Sequence, residues 1–154
     1  LKILPIIHIF YAAKTDCSGC YAFLIPPQRG GAASIYIIDT HGTFVHQERG
    51  DGQIYTNIRT AMLKAQTALQ TRQPTSIRAA QLANDPDGQP RQLMQFGFFT
   101  NSGGIPIVVD GEMIGAIGVG GGAVGGGDEN CAIEGLKAAF GSRVLLPVYP
   151  EKKD

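Results

Sequence analysis

The chain has 154 residues, 44% of them hydrophobic and 17% charged, and its 13 basic and 13 acidic side chains balance to a formal net charge of zero. That length suits one domain with its own core, and no basic block supports nucleic-acid binding. No apolar run approaches the roughly 20 residues of a membrane span, and so low a charge content leaves surface for subunit contacts, which points to a homo-oligomer.

In chain order, residues 1 to about 24 read as a first helix, although Pro5 sits badly inside one. Ile25-Pro26-Pro27-Gln28-Arg29-Gly30-Gly31 breaks it. Ser34 to Asp39 is β-branched and aromatic and predicts a strand. Thr40-His41-Gly42 is a turn, and Thr43 to Arg49 completes a hairpin, with Phe44 and His46 expected on one face and Val45 and Gln47 on the other. After Gly50-Asp51-Gly52, a long helix is expected from Tyr55 to Arg72. Ile54, Ile58, Ala61, Met62, Ala65, Ala68 and Leu69 form its apolar stripe, and Pro74 ends it. A short helix over Ser76 to Ala83 precedes a polar loop at Asp85-Pro86-Asp87-Gly88, and Gln95 to Thr100 reads as an edge strand.

The strongest local signal is Gly103-Gly104-Ile105-Pro106-Ile107-Val108-Val109-Asp110-Gly111-Glu112-Met113-Ile114-Gly115-Ala116-Ile117-Gly118-Val119. An Asp-Gly pair between two apolar runs predicts a hairpin, because a two-residue primed turn needs positive φ. Asp128 is the expected N-cap of a last helix whose apolar face is Ala132, Leu136, Ala139 and Phe140, with Gly141 as its C′ residue. The tail after Arg143 reads as loose. The expected architecture is a single α+β domain over residues 1–154, with five strands flanked by helices.

Asp39-Thr40-His41-Gly42, Glu48-Arg49-Gly50-Asp51-Gly52, Lys64-Ala65-Gln66-Thr67-Ala68 and Arg72-Gln73-Pro74-Thr75 occur in a recognisable order. Gly103-Gly104-Ile105-Pro106-Ile107, Gly111 to Val119 and Asp128-Glu129-Asn130-Cys131-Ala132 continue it. The set resembles the GlcG/HbpS family of small haem-binding or haem-degrading proteins, with the C-terminal domain of PduO-type corrinoid proteins among the relatives. The likeness covers about residues 33–140 and leaves 142–154 as a tail. It implies a profilin-like fold, a five-stranded antiparallel sheet with helices on its faces, and assembly into homo-oligomers. It departs from the family's pattern in residues 1–32 and at Gly120, where relatives usually carry Ser.

The resemblance implies a protein that binds haem or another carboxylated small molecule. Arg49, Asp51 and Lys64 are ionisable residues within the matched segments; with Gly103 and Gly104 they are the candidate ligand-binding set. Arg supplies a bidentate fork, Lys a point charge and the glycine pair backbone N–H groups. The same residues also fit a structural salt bridge between helix and hairpin. Haem needs an axial donor, and His46 and His8 are the candidates, His41 lying in a turn. The alternative function is a small enzyme that uses the Asp51, Lys64 and Gly103-Gly104 pocket for acid–base chemistry on an organic acid or aromatic substrate.

Cys17-x-x-Cys20 and Cys131 make an odd set that fits neither a disulfide framework nor a four-ligand zinc site. The expected compartment is the cytoplasm. The apolar residues 1–13, read as a remnant of a signal segment, are the argument for a secreted or periplasmic location.

Overall fold

The structure, a computed structural model, describes residues 33–121 and 127–149. The expected first helix, His8, Cys17 and Cys20 lie outside the described residues. Strand β1 (Ser34–Asp39) and strand β2 (Phe44–Arg49) form the first hairpin. Helix α1 (Tyr55–Thr71) follows, then α2 (Thr75–Gln81) and α3 (Gly88–Phe96). Strands β3 (Gly104–Val109) and β4 (Glu112–Gly120) form the second hairpin, and α4 (Gly127–Phe140) runs into a 3-10 turn at Gly141–Arg143. The α+β architecture is as expected.

The sheet is antiparallel throughout, in the order β2-β1-β4-β3. Strand alternation sends Ile35, Ile37, Ile105, Ile107, Ile117 and Val119 to one face, where Ala132, Leu136 and Phe140 of α4 complete a core. Ile38 and Ala116 face the other way and meet Ala65 and Ala68 of α1. Helix α1 reaches this face because β4 has no side chain where the helix crosses it. A Cβ at Gly118 would fall on the carbonyl oxygen of Ala61, and one at Gly104 on that of Lys64. Gly104 and Gly118 therefore serve a close approach of helix backbone to strand backbone.

Four strands, not five, form the sheet among the described residues. The expected edge strand at Gln95–Thr100 is absent for a local reason. Gln95 and Phe96 end α3, Gly97 caps it with φ +70°, and the Phe99 amide donates to Thr67 Oγ1 at 2.8 Å instead of to a ladder. The outer edge of β3 is taken by the tail instead. Val144 bridges Val109, Leu145 N donates to Val108 O at 2.8 Å, and Asp110 N donates to Arg143 O at 2.9 Å. Expected to be loose, the tail through Leu145 is thus hydrogen-bonded to the sheet.

Strand β2 also departs from simple alternation. The register shifts between Ile37 and Ile38, so that His46 pairs with Ile37 but Phe44 pairs with Ile38. Phe44 therefore stands beside Tyr36 on the α1 side, with ring centroids 5.4 Å apart, while His46 faces the α4 side. A bulge inserts one extra residue, which is what separates Phe44 from His46.

Candidate functional site

Lys64 lies on the apolar stripe of α1, between Ala61, Ala65 and Ala68, and is 4% exposed. A buried ammonium needs partners. Its Nζ donates to Asp128 Oδ2 at 2.7 Å and to the carbonyl oxygen of Val119 at 2.8 Å. Asp128 was expected to cap α4. The helix starts one residue earlier, at Gly127, and the Asp128 side chain turns to Lys64. Gly103, at φ +121°, fits beneath this pair, since a Cβ there would stand 2.7 Å from both Asp128 Cβ and the Val119 oxygen. The amide of Gly104 donates to Thr75 Oγ1 at 2.9 Å, and that hydroxyl donates to Asn101 O at 2.8 Å. Lys64, Gly103 and Gly104 are therefore neighbours.

The next residue along α4 builds a second polar group beside the first. Glu129 is 5% exposed. Its Oε1 accepts hydrogen bonds from Ser76 Oγ and from the Tyr149 hydroxyl, both at 2.6 Å, and its Oε2 accepts from Ser102 Oγ at 2.5 Å. Burial, then the hydrogen bond and negative charge of Glu129, push the Tyr149 phenol well above its ordinary pKa, and Ser76 opposes them. Reading the sequence did not single out Glu129, Ser76, Ser102 or Tyr149. A signal was present: Glu129 falls on the same helical stripe as Ala132, Leu136 and Phe140.

The other sequence candidates lie at the far edge of the sheet. Arg49 ends β2 and is exposed, and Asp51 is exposed in the turn that follows. That turn precedes α1, and Lys64 lies nine residues beyond Tyr55, about 13 Å along the helix at 1.5 Å per residue. Lys64 is matched by Asp128, and the fold does not bring Asp51 to it. His46 is on β2 with Glu48, their Nε2 and Oε2 atoms 3.9 Å apart. Three strand spacings, about 14 Å, separate β2 from β3. His41 stays in the β1–β2 turn, where its amide donates to Asp39 Oδ1 at 2.8 Å.

The candidates thus form two groups. One holds Lys64, Asp128, Gly103, Gly104 and the Glu129 hydroxyl cluster at the β3 end. The other holds His46, Glu48, Arg49 and Asp51 along β2. Among the described residues no group of three or more His, Cys, Asp or Glu is placed to hold a metal ion. No described helix is long and apolar enough to cross a membrane.

Known structures share this fold. HbpS is 28% identical, with 92% of this chain and 90% of that one covered and a TM-score of 0.69. The haem complex of PduOC is 22% identical over 90% of this chain and 94% of that one, with a TM-score of 0.71. Klebsiella pneumoniae ORFY is 18% identical over 90% of each chain, also at 0.71. No curated protein matches the chain. The family described as haem degrading protein HbpS-like matches residues 26–137, which is most of the sequence, and the chain belongs to that family.

Proposed function

We propose that this chain binds haem or another carboxylated small molecule, as a homo-oligomer. The observation that carries the reading is the family match over residues 26–137; the haem complex of PduOC, which shares the fold, is in keeping with it. Within the chain, the β2 group has the residue types such a ligand needs. His46 supplies an imidazole on β2, near the Glu48 carboxylate but beyond hydrogen-bond distance of it. Arg49, exposed at the end of the same edge strand and alternating to the face opposite His46, supplies a guanidinium for a propionate that passes the strand end. His8 is the second axial candidate. Bound haem would supply an iron centre for ligand or redox chemistry, while the chain's part is to hold and orient it. Haemin titration tests this. A saturable Soret shift that is lost in His46→Ala supports it, and no saturable change removes it.

The Lys64 corner favours a different use. Its cation is already matched by Asp128, so a carboxylated ligand there would have to displace an internal ion pair. The second reading, a small enzyme doing acid–base chemistry at Lys64, Gly103 and Gly104, therefore fits an aromatic substrate better than an organic acid. Asp51 lies at the other edge, and the carboxylate role in that reading passes to Asp128. Screening such substrates separates the two carboxylates. Turnover lost in Asp128→Asn and kept in Asp51→Ala supports this second reading, and the reverse excludes it.

A further inference from the structure

We infer that the Glu129 carboxylate is a recognition point for the hydroxyl of a small phenol, a place that the chain's own Tyr149 fills. Three hydroxyls from separate parts of the chain converge on this one buried group: Ser76 from α2, Ser102 from the segment before β3, and Tyr149 from the tail. Ser76 sits on α2 and Ser102 in the bend that leads into β3, and both donate to the carboxylate. Tyr149 is different in kind. It lies near the end of the described tail, is itself 42% exposed, and follows Val148, which is 86% exposed. The tail is tied to the sheet at Val144 and Leu145 and to α4 by the phenol at Glu129.

Replacing the Tyr149 phenol by a ligand phenol exchanges one charge-assisted O–H to carboxylate hydrogen bond for another. The exchange leaves no buried oxygen unpaired, so displacement does not incur the cost of an orphaned carboxylate. The charges nearby set the class of ligand. Lys64 contributes one positive charge and Asp128 and Glu129 two negative charges, so the corner repels carboxylates and accepts a neutral donor. An aromatic body bearing a hydroxyl is the shape already seated there. Its tethered competitor acts at a millimolar effective concentration, on the order expected for a short linker, so removing it must tighten binding.

The test uses the full chain with 4-methylphenol as probe, and toluene and 4-methylbenzoate as controls. In the wild type, saturating 4-methylphenol should shift the NMR signals of the Tyr149 ring while leaving those of α1 unchanged. Tyr149→Ala should bind the phenol at least tenfold more tightly than the wild type. Adding Glu129→Gln, or Ser102→Ala where the Gln variant does not fold, should reverse that gain. Toluene and 4-methylbenzoate should bind neither protein. Unchanged Tyr149 ring signals in the wild type would mean that the phenol is not displaced, and toluene binding Tyr149→Ala as well as the phenol does would mean that only an apolar hole has been filled; either result overturns the inference. The outcome does not depend on whether the chain binds haem at β2.

Discussion

Lys64 Nζ and Asp128 Oδ2 stand 2.7 Å apart, joining the middle of α1 to the first turn of α4 across 64 residues of sequence. The two helices pack on opposite faces of the sheet, and this pair passes the end of β3 where Gly103 has no side chain to block it. Asp128→Ala would leave a buried ammonium without its carboxylate, which costs about 3–5 kcal/mol. The double variant Lys64→Met, Asp128→Leu should recover most of that, since an apolar pair of similar volume needs no partner. Urea unfolding of the three proteins checks both. A loss under about 1 kcal/mol for Asp128→Ala would mean that the pair behaves as an exposed one.

The contact between α1 and β4 gives a second expectation. A methyl at Gly118 would meet the Ala61 carbonyl oxygen and the Ala65 amide nitrogen, which are backbone atoms and cannot rotate away. Gly118→Ala should destabilise by about 1–3 kcal/mol or more. Gly111→Ala has open space around it but φ +81°, and should lose only the smaller cost of the turn conformation, about 1 kcal/mol. Thermal unfolding of the two variants should rank them in that order.

Thr67 is fully buried, donates to Leu63 O at 2.7 Å and accepts from the Phe99 amide at 2.8 Å. Thr67→Val keeps the shape and leaves that amide without its acceptor, at a cost of about 1–3 kcal/mol. Exchange of the Phe99 amide hydrogen should accelerate in the variant. Equal protection in both proteins would show that the segment after α3 is held by other contacts.

Tyr149 makes the chain's behaviour at high pH distinctive. Its phenol is raised above its ordinary value near 10, first by burial and then by the Glu129 hydrogen bond and charge. A raised folded value means that the protonated phenol is the favoured form in the folded chain. Its contribution is complete below about pH 10 and is lost as pH rises through the folded value. Tyrosinate absorbance should therefore show that Tyr149→Phe removes a late-ionising phenol and leaves the earlier part of the titration unchanged. A variant that loses absorbance in the ordinary range instead would contradict the Glu129 contact.

Much of the fold was legible because its signals are local. Asp110 takes φ +52° and Gly111 φ +81° in the turn that Asp-Gly predicted, and the apolar stripe of α1 buries Ala61, Ala65 and Ala68 as its spacing required. What was missed depends on residues far apart. The bulge that separates Phe44 from His46 arises from pairing with β1. The segment at Gln95–Thr100 has strand-like residues, yet Thr67, 32 residues away, takes the Phe99 amide. Lys64 could be found from its place on an apolar stripe, but its partner could not. Asp128 looked like a cap because Asp before an apolar helical pattern commonly is one. The donors to Glu129 lie 20, 27 and 53 residues away and share no motif.

The most direct test of the central claim is a Soret titration of the full chain with haemin, run beside His46→Ala and Arg49→Ala. The expected result is a saturable band in the wild type, absent or strongly shifted in His46→Ala and weakened in Arg49→Ala, with the unfolding midpoint of each variant unchanged. A titration in which the wild type shows no saturable band, or in which all three proteins give the same one, would contradict haem binding through the β2 residues.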